Sequence, residues 1–188
     1  MRATLPGEVA WYVTGRFYVT ENGSILDVGY FLHLQGISSG LFQNDQPGEG
    51  TAFLTFAADP FQAQKLTNGD LTLGLDTVGE FGIYLNRAPG ATFDNPASFA
   101  AGEEIARFRR VSMVVGVTVG GGGVSVNLFS AELLWSKAFE LGGGERQDLR
   151  ELIPHGVTQS GTASTTALPA PAGYTTAVPF VGSAFAIG

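Results

Sequence analysis

The chain contains no cysteine. A disulfide, a thiolate nucleophile and a cysteine-held metal are therefore excluded. Lysine is nearly missing too, with only Lys65 and Lys137. Charged residues make up 14% of the 188 residues, where an ordinary soluble domain has about a quarter. The formal net charge is −7. The one basic cluster, Arg107, Arg109 and Arg110, has Glu103 and Glu104 beside it. Nucleic acid is not expected as a partner, because binding a phosphate backbone needs massed Lys and Arg. The longest apolar run, "VSMVVGVTV" from Val111, falls short of the roughly 18 residues of a membrane helix, so no membrane span is expected. The start, "MRATLPGEVAWYV", lacks the basic and apolar regions of a signal peptide. The expectation is a soluble chain, with the cytoplasm slightly favoured. The two histidines, His33 and His155, stand far apart, and no EF-hand spacing occurs. No metal and no cofactor are expected.

What is abundant is glycine, with 27 residues, and phenylalanine, with 14. The apolar share of 44% is enough for a sizeable core. The dominant periodicity is two, the period of strands. In "VAWYVTGRFYVT" (9–20), Trp11, Val13, Phe17 and Val19 share one face, and Tyr12, Thr14, Arg16, Tyr18 and Thr20 the other. Asn22-Gly23 then favours a tight hairpin. The return strand, about 25–37, puts Leu26, Val28, Tyr30, Leu32 and Leu34 on one face, and Asp27, Phe31, His33 and Gln35 on the other.

Further strands are expected at 51–58, 70–76, 80–86, 103–119 and 124–139, with one short helical turn within 61–69. The "GGGG" at 120–123 is a turn between strands. It is not a phosphate loop, because no Lys-Ser/Thr pair follows it. "ERQDLRELI" (145–153) is the one candidate helix, ended by Pro154. Beyond Gly156 the chain carries no charged residue, yet Val178, Phe180, Val181, Phe185 and Ile187 argue for an ordered tail. The fold class is all-β: an antiparallel meander closed into a barrel of about eight strands. A sandwich is the alternative. Closure also removes edges that so uncharged a sheet cannot protect. The expected organisation is a barrel domain over 1–144, then 145–188 as a short helix and an extended C-terminal tail packed on the barrel or on a neighbour.

Three stretches, "GEGTAFLTFAADPF", "NGDLTLGLDTVGEFGIYLN" and "FDNPASFAAGEEIARFRR", together resemble bacterial members of the allene oxide cyclase-like barrel group. The resemblance spans about residues 48–118, a little over a third of the chain. Its motifs are structural: a G-T-A-x-F strand, short strands, an F-D-x-P-x-S-F loop and a long strand. It implies an eight-stranded barrel of calycin type, often oligomeric, whose interior holds an apolar small molecule. No site residue carries over.

Candidate site residues follow from shared faces. Glu80 and Tyr84 lie on one face of their strand with Asn86; a carboxyl inside an apolar barrel has a raised pKa and can serve as acid or base, while a solvated outer face is the plainer reading. His33 is a candidate base or donor to a carbonyl. Asp27 cannot orient it, being roughly 20 Å away along a strand at about 3.3 Å per residue. Glu80, Tyr84 and His33 are the catalytic candidates. Tyr12, Arg16, Tyr18, Arg109 and Trp135 are the ligand-binding candidates. Neighbouring arginines point to opposite faces, so one of Arg109 and Arg110 can point inward and grip a carboxylate; an exposed ion pair at the rim is the plainer reading. Two functions are expected to compete. The first is a barrel that binds an apolar or conjugated molecule, in its strong form a cofactor-free cyclase or isomerase of a biosynthetic pathway. The second is a non-enzymatic structural or oligomer-forming protein whose tail pairs with a neighbouring subunit.

Overall fold

An up-and-down course of strands closes on itself in the computed structural model, which describes residues 3–37, 40–62, 64–68, 71–76, 79–118, 124–141, 143–164 and 166–188. The first six strands are β1 (Val9–Thr20), β2 (Ile25–Leu34), β3 (Leu54–Ala58), β4 (Gln64–Asn68), β5 (Leu71–Asp76) and β6 (Gly79–Leu85). The others are β7 (Glu103–Thr118), β8 (Val124–Ser136), β9 (Phe139–Glu140), β10 (Arg146–Gln147), β11 (Val157–Ser164) and β12 (Tyr174–Ala186), with the helix α1 (Leu149–Leu152) after β10. Eight strands form the ring, in the order β1, β2, β3, β6, β7, β8, β11, β12 and back to β1. Every pairing in it is antiparallel. The expected barrel is therefore observed, and the sandwich alternative is not.

Two hairpins interrupt the meander. The first is β4–β5, whose β5 pairs with the second half of β7, beyond the part that β6 covers. The helical turn expected at 61–69 is thus a strand. Asn68-Gly69-Asp70 is a hairpin signal, and Asn68 pairs with Leu71 across it. The second hairpin, β9–β10, leads into α1. The expected Gly120–Gly123 turn lies outside the described residues.

Residues 157–188 are not an appendage. β11 bridges β8 and β12, and β12 bridges β11 and β1. The division at 144/145 therefore cuts through a single barrel. The composition of this stretch looks like low complexity because inward glycines and alanines (Gly161, Ala163, Gly182, Ala184, Ala186) alternate with outward hydroxyls and apolar groups. Only four residues of the expected helix are helical. Asp148 caps them by accepting from the Arg150 backbone N–H at 2.9 Å. Leu149, Leu152 and Ile153 are buried in the same core as Phe139, Leu141, Trp11 and Ile105. This segment plugs the barrel end where β8 finishes and β11 begins.

Inside the ring, rings and glycines alternate. A Cβ on Gly15 would lie 2.8 Å from a Phe180 ring carbon, and one on Gly29 2.7 Å from Phe56. The missing side chains make room for the phenyl groups.

The segment between β6 and β7 lies against the outer wall. Phe93 and Phe99, the two phenylalanines of the F-D-x-P-x-S-F pattern, are buried with centroids 4.9 Å apart. They pack with Tyr18, Val28, Ala57 and Ala177. The Phe93 carbonyl accepts from Tyr18 Oη at 2.8 Å, and the Phe99 carbonyl from Thr55 Oγ1 at 2.6 Å.

Candidate functional site in the barrel interior

At the barrel centre a fully buried arginine faces a buried aspartate. Arg110 is 2% exposed and Asp27 5%. Arg110 Nη2 donates to both Asp27 oxygens, at 2.8 and 2.9 Å. Strand parity places them. Arg110 follows Phe108 on the inward face of β7, and Asp27 shares the inward face of β2 with Phe31. The guanidinium carbon sits 4.9 Å from the Phe61 ring centroid, 5.3 Å from Phe129 and 5.6 Å from Phe81. These ring faces offset part of the desolvation of the cation. Arg110 Nε and Nη1 find no hydrogen-bond acceptor among the described residues.

Beside the pair lies a small void of about 10 Å³, lined by Arg110, Asp27, Gln159, Trp11 and surrounding phenylalanines. That is room for a single water-sized group. Gln159 Oε1 accepts from Trp11 Nε1 at 3.0 Å, which turns the amide of Gln159 toward this centre. The interior is therefore packed in this state, with one polar point at its middle. A shallower groove of about 250 Å³ lies between Arg87, Phe139, Glu140 and Arg146. It is a surface feature with no buried polar group turned into it.

The residues expected from the sequence lie elsewhere. Tyr12, Arg16 and Tyr18 face outward on β1. Tyr12 is 44% exposed, and Tyr18 is buried beneath Phe93. Arg16 lies over the Phe93 ring at 4.3 Å. Burial pushes the Tyr18 phenol up to about 12, which keeps it a donor to the Phe93 carbonyl. His33 is outward as well, its ring 5.6 Å from that of Tyr12. A bulge explains this. Tyr12 pairs with His33 but Val13 with Phe31, so Leu32 is the extra residue. The bulge sends Leu34 into the core and leaves His33 outside.

Glu80 and Tyr84 are on the outer face of β6. Glu80 pairs with Arg107 at 3.3 Å, and Arg107 also holds Glu104 and Asp59. Tyr84 is raised from its ordinary value by burial, then by the nearby Glu104 carboxylate. Arg109 points outward and pairs with Glu132. Trp135 is 38% exposed on β8. None of the eight expected site residues except Tyr18 is buried, and none lines the central void.

The signal for Arg110 was present in the sequence. Its neighbours two and four residues back, Phe108 and Ala106, are apolar, whereas Arg109 follows Arg107. Gln159 carries no such signal, because its strand reads as a tail in the sequence. Among the described residues no helix is long and apolar enough to cross a membrane, and no group of three His, Cys, Asp or Glu is placed to hold a metal.

The closed antiparallel ring is consistent with a calycin-type barrel. The chain matches no protein-family model, no curated protein and no solved structure.

Proposed function

We propose that this protein binds a small apolar molecule carrying one carbonyl or carboxyl oxygen, with that oxygen held at Arg110 in the barrel centre. One observation carries the reading: a guanidinium that is buried and ion-paired still has Nε and Nη1 without acceptors among the described residues, beside a ring-lined void. Such a group is costly to keep in a core unless something uses it. The void of about 10 Å³ takes the oxygen alone. The body of the ligand therefore requires rings such as Phe61 and Phe129 to turn aside. Binding without turnover is favoured, since Glu80, Tyr84 and His33 all face outward. A cofactor-free isomerase or cyclase, the activity that the allene oxide cyclase resemblance suggests, would have to use Arg110 to polarise a carbonyl and Asp27 to move a proton.

Trp11 offers a direct readout, because it lines the void while Trp135 is on the surface. In a Trp135→Phe background, titration with medium-chain fatty acids and aromatic ketones is expected to change Trp11 fluorescence saturably. The response should vanish in the double variant Asp27→Leu/Arg110→Met. No saturable change with any member of either series would leave the interior as packed core and sink the proposal.

A further inference from the structure

We infer that the outer wall formed by β8, β11, β12 and β1 is the face on which two copies of this chain associate. Between Arg16 on β1 and Glu132 on β8 the wall is a continuous surface without a charged side chain. One row of outward residues runs Leu128, Ser160, Ser183 and Tyr12 across the four strands, and the next runs Val126, Thr162, Val181 and Thr14. No Asp, Glu, Lys or Arg occurs anywhere in β11 or β12. Nine large apolar side chains are exposed among the described residues, and five of them, Tyr12, Val126, Leu128, Val181 and Phe185, stand on this wall. A sixth, Leu32, borders it on β2.

A network of ion pairs stands on the other side. The Arg107 network with Asp59, Glu80 and Glu104 lies on β6–β7, and Glu103 takes Arg87 and Lys137 beside it. Arg109–Glu132 and Arg16 mark the limits of the uncharged region.

A second copy is the occupant that fits this wall. A two-fold axis sets a patch against itself, so like meets like. A chain of net charge −7 tolerates that only where the patch is neutral. Second, interface centres are depleted in charged residues, and this wall meets that condition between Arg16 and Glu132. Third, the size fits. Four strands about 4.8 Å apart and roughly 26 Å long, with the margin of β2, give on the order of 600 Å². A stable interface buries about 800 Å² per partner, and rough side chains bring the wall near that value. Strand addition is not available here, since β11 and β12 are paired on both sides.

The test is the mass of the full chain in solution by light scattering. The expected result is a dimer whose mass is unchanged between low and high salt. Leu128→Arg/Val181→Arg, which places a cation on each row, is expected to halve the mass while leaving the circular dichroism spectrum intact. Trp135→Arg, at the end of β8 beyond Glu132 and opposite Arg107, is expected to leave the dimer in place. Thr162→Glu alone gives a milder probe if the double variant folds poorly, and it should weaken the dimer. A wild-type chain that stays monomeric overturns the inference, as does a dimer that dissociates in salt or survives all the wall substitutions. Adsorption of a monomer to a polysaccharide or to lipid vesicles through this wall would overturn it equally.

Discussion

Breaking the Asp27–Arg110 pair from one side tests the interior most sharply. Asp27→Asn keeps the shape but removes the charge that faces a guanidinium only 2% exposed. Removing one partner of a buried pair typically costs about 3–5 kcal/mol, because the other charge is left uncompensated. Arg110→Met should cost a similar amount by stranding the Asp27 carboxylate. A domain holds only about 5–15 kcal/mol in total, so either single variant should lose a large share of its stability. In urea, with a slope near 2 kcal/mol/M, the midpoint should fall by about 1.5–2.5 M. The double variant Asp27→Leu/Arg110→Met behaves in the opposite way. It replaces both charges with apolar groups already surrounded by phenyl rings, so its stability should return to the wild-type level or exceed it by about 1–4 kcal/mol. The three midpoints together decide the matter. If each single variant costs under about 1 kcal/mol, the pair behaves like an exposed one and the buried centre is refuted. If the double variant is no better than the singles, the two residues do not compensate each other. A stable double variant that no longer binds ligand would mean the pair is retained for use rather than for stability.

Tyr18 supplies a test by pH. Its folded value of about 12 stands above the ordinary 10.0 because burial disfavours the phenolate. The neutral form is therefore favoured by folding. That contribution is complete below pH 10 and is lost as pH rises toward 12; Tyr18→Phe should remove this part of the alkaline loss, seen in urea midpoints across that range. Gly156 has a φ of 116°, and a Cβ there would meet the Ala131 carbonyl at 2.1 Å, so Gly156→Ala should cost about 3 kcal/mol in a denaturant titration. Gly23, with a φ of 81° but nothing within 4 Å, should lose only about 1 kcal/mol on substitution by alanine. Asp148→Ala should cost about 1 kcal/mol by uncapping α1, and hydrogen exchange should rise first at Arg150.

The strands were legible because alternation is a local signal. β1, β5 and β7 fall within a residue or so of where periodicity places them. Inward and outward were harder, since one bulge reverses the parity of everything beyond it. In β1 the apolar set Trp11, Val13 and Phe17 does face the core. In β2 the same rule fails at both ends. Asp27 turns inward because its charge meets Arg110, 83 residues away. His33 turns outward because Leu32 is an extra residue against β1. Neither cause is visible within a window of a few residues. Arg110 is the intermediate case: parity with Phe108 pointed inward, but burial of an arginine runs against composition statistics, and only its partner across the barrel makes it acceptable.

The same long-range logic explains the tail. A closed barrel has no edge to protect, so its last strands need no charged gatekeepers. β11 and β12 can then carry Gly161 and Gly182 facing inward, where a Cβ would lie 2.9 Å from Asn127 and 3.1 Å from Gln159. Outward they carry hydroxyls and aliphatic groups. The run without charge is thus what closure permits on the inside. On the outside closure does not require it. A monomer gains solubility from charges on its wall, and this chain places its ion pairs on β6–β7 instead. The uneven distribution of charge around one ring is therefore not a product of the fold. The proposed contact with a second copy would account for it, and a mass measurement on the wild-type chain decides that before any variant is made.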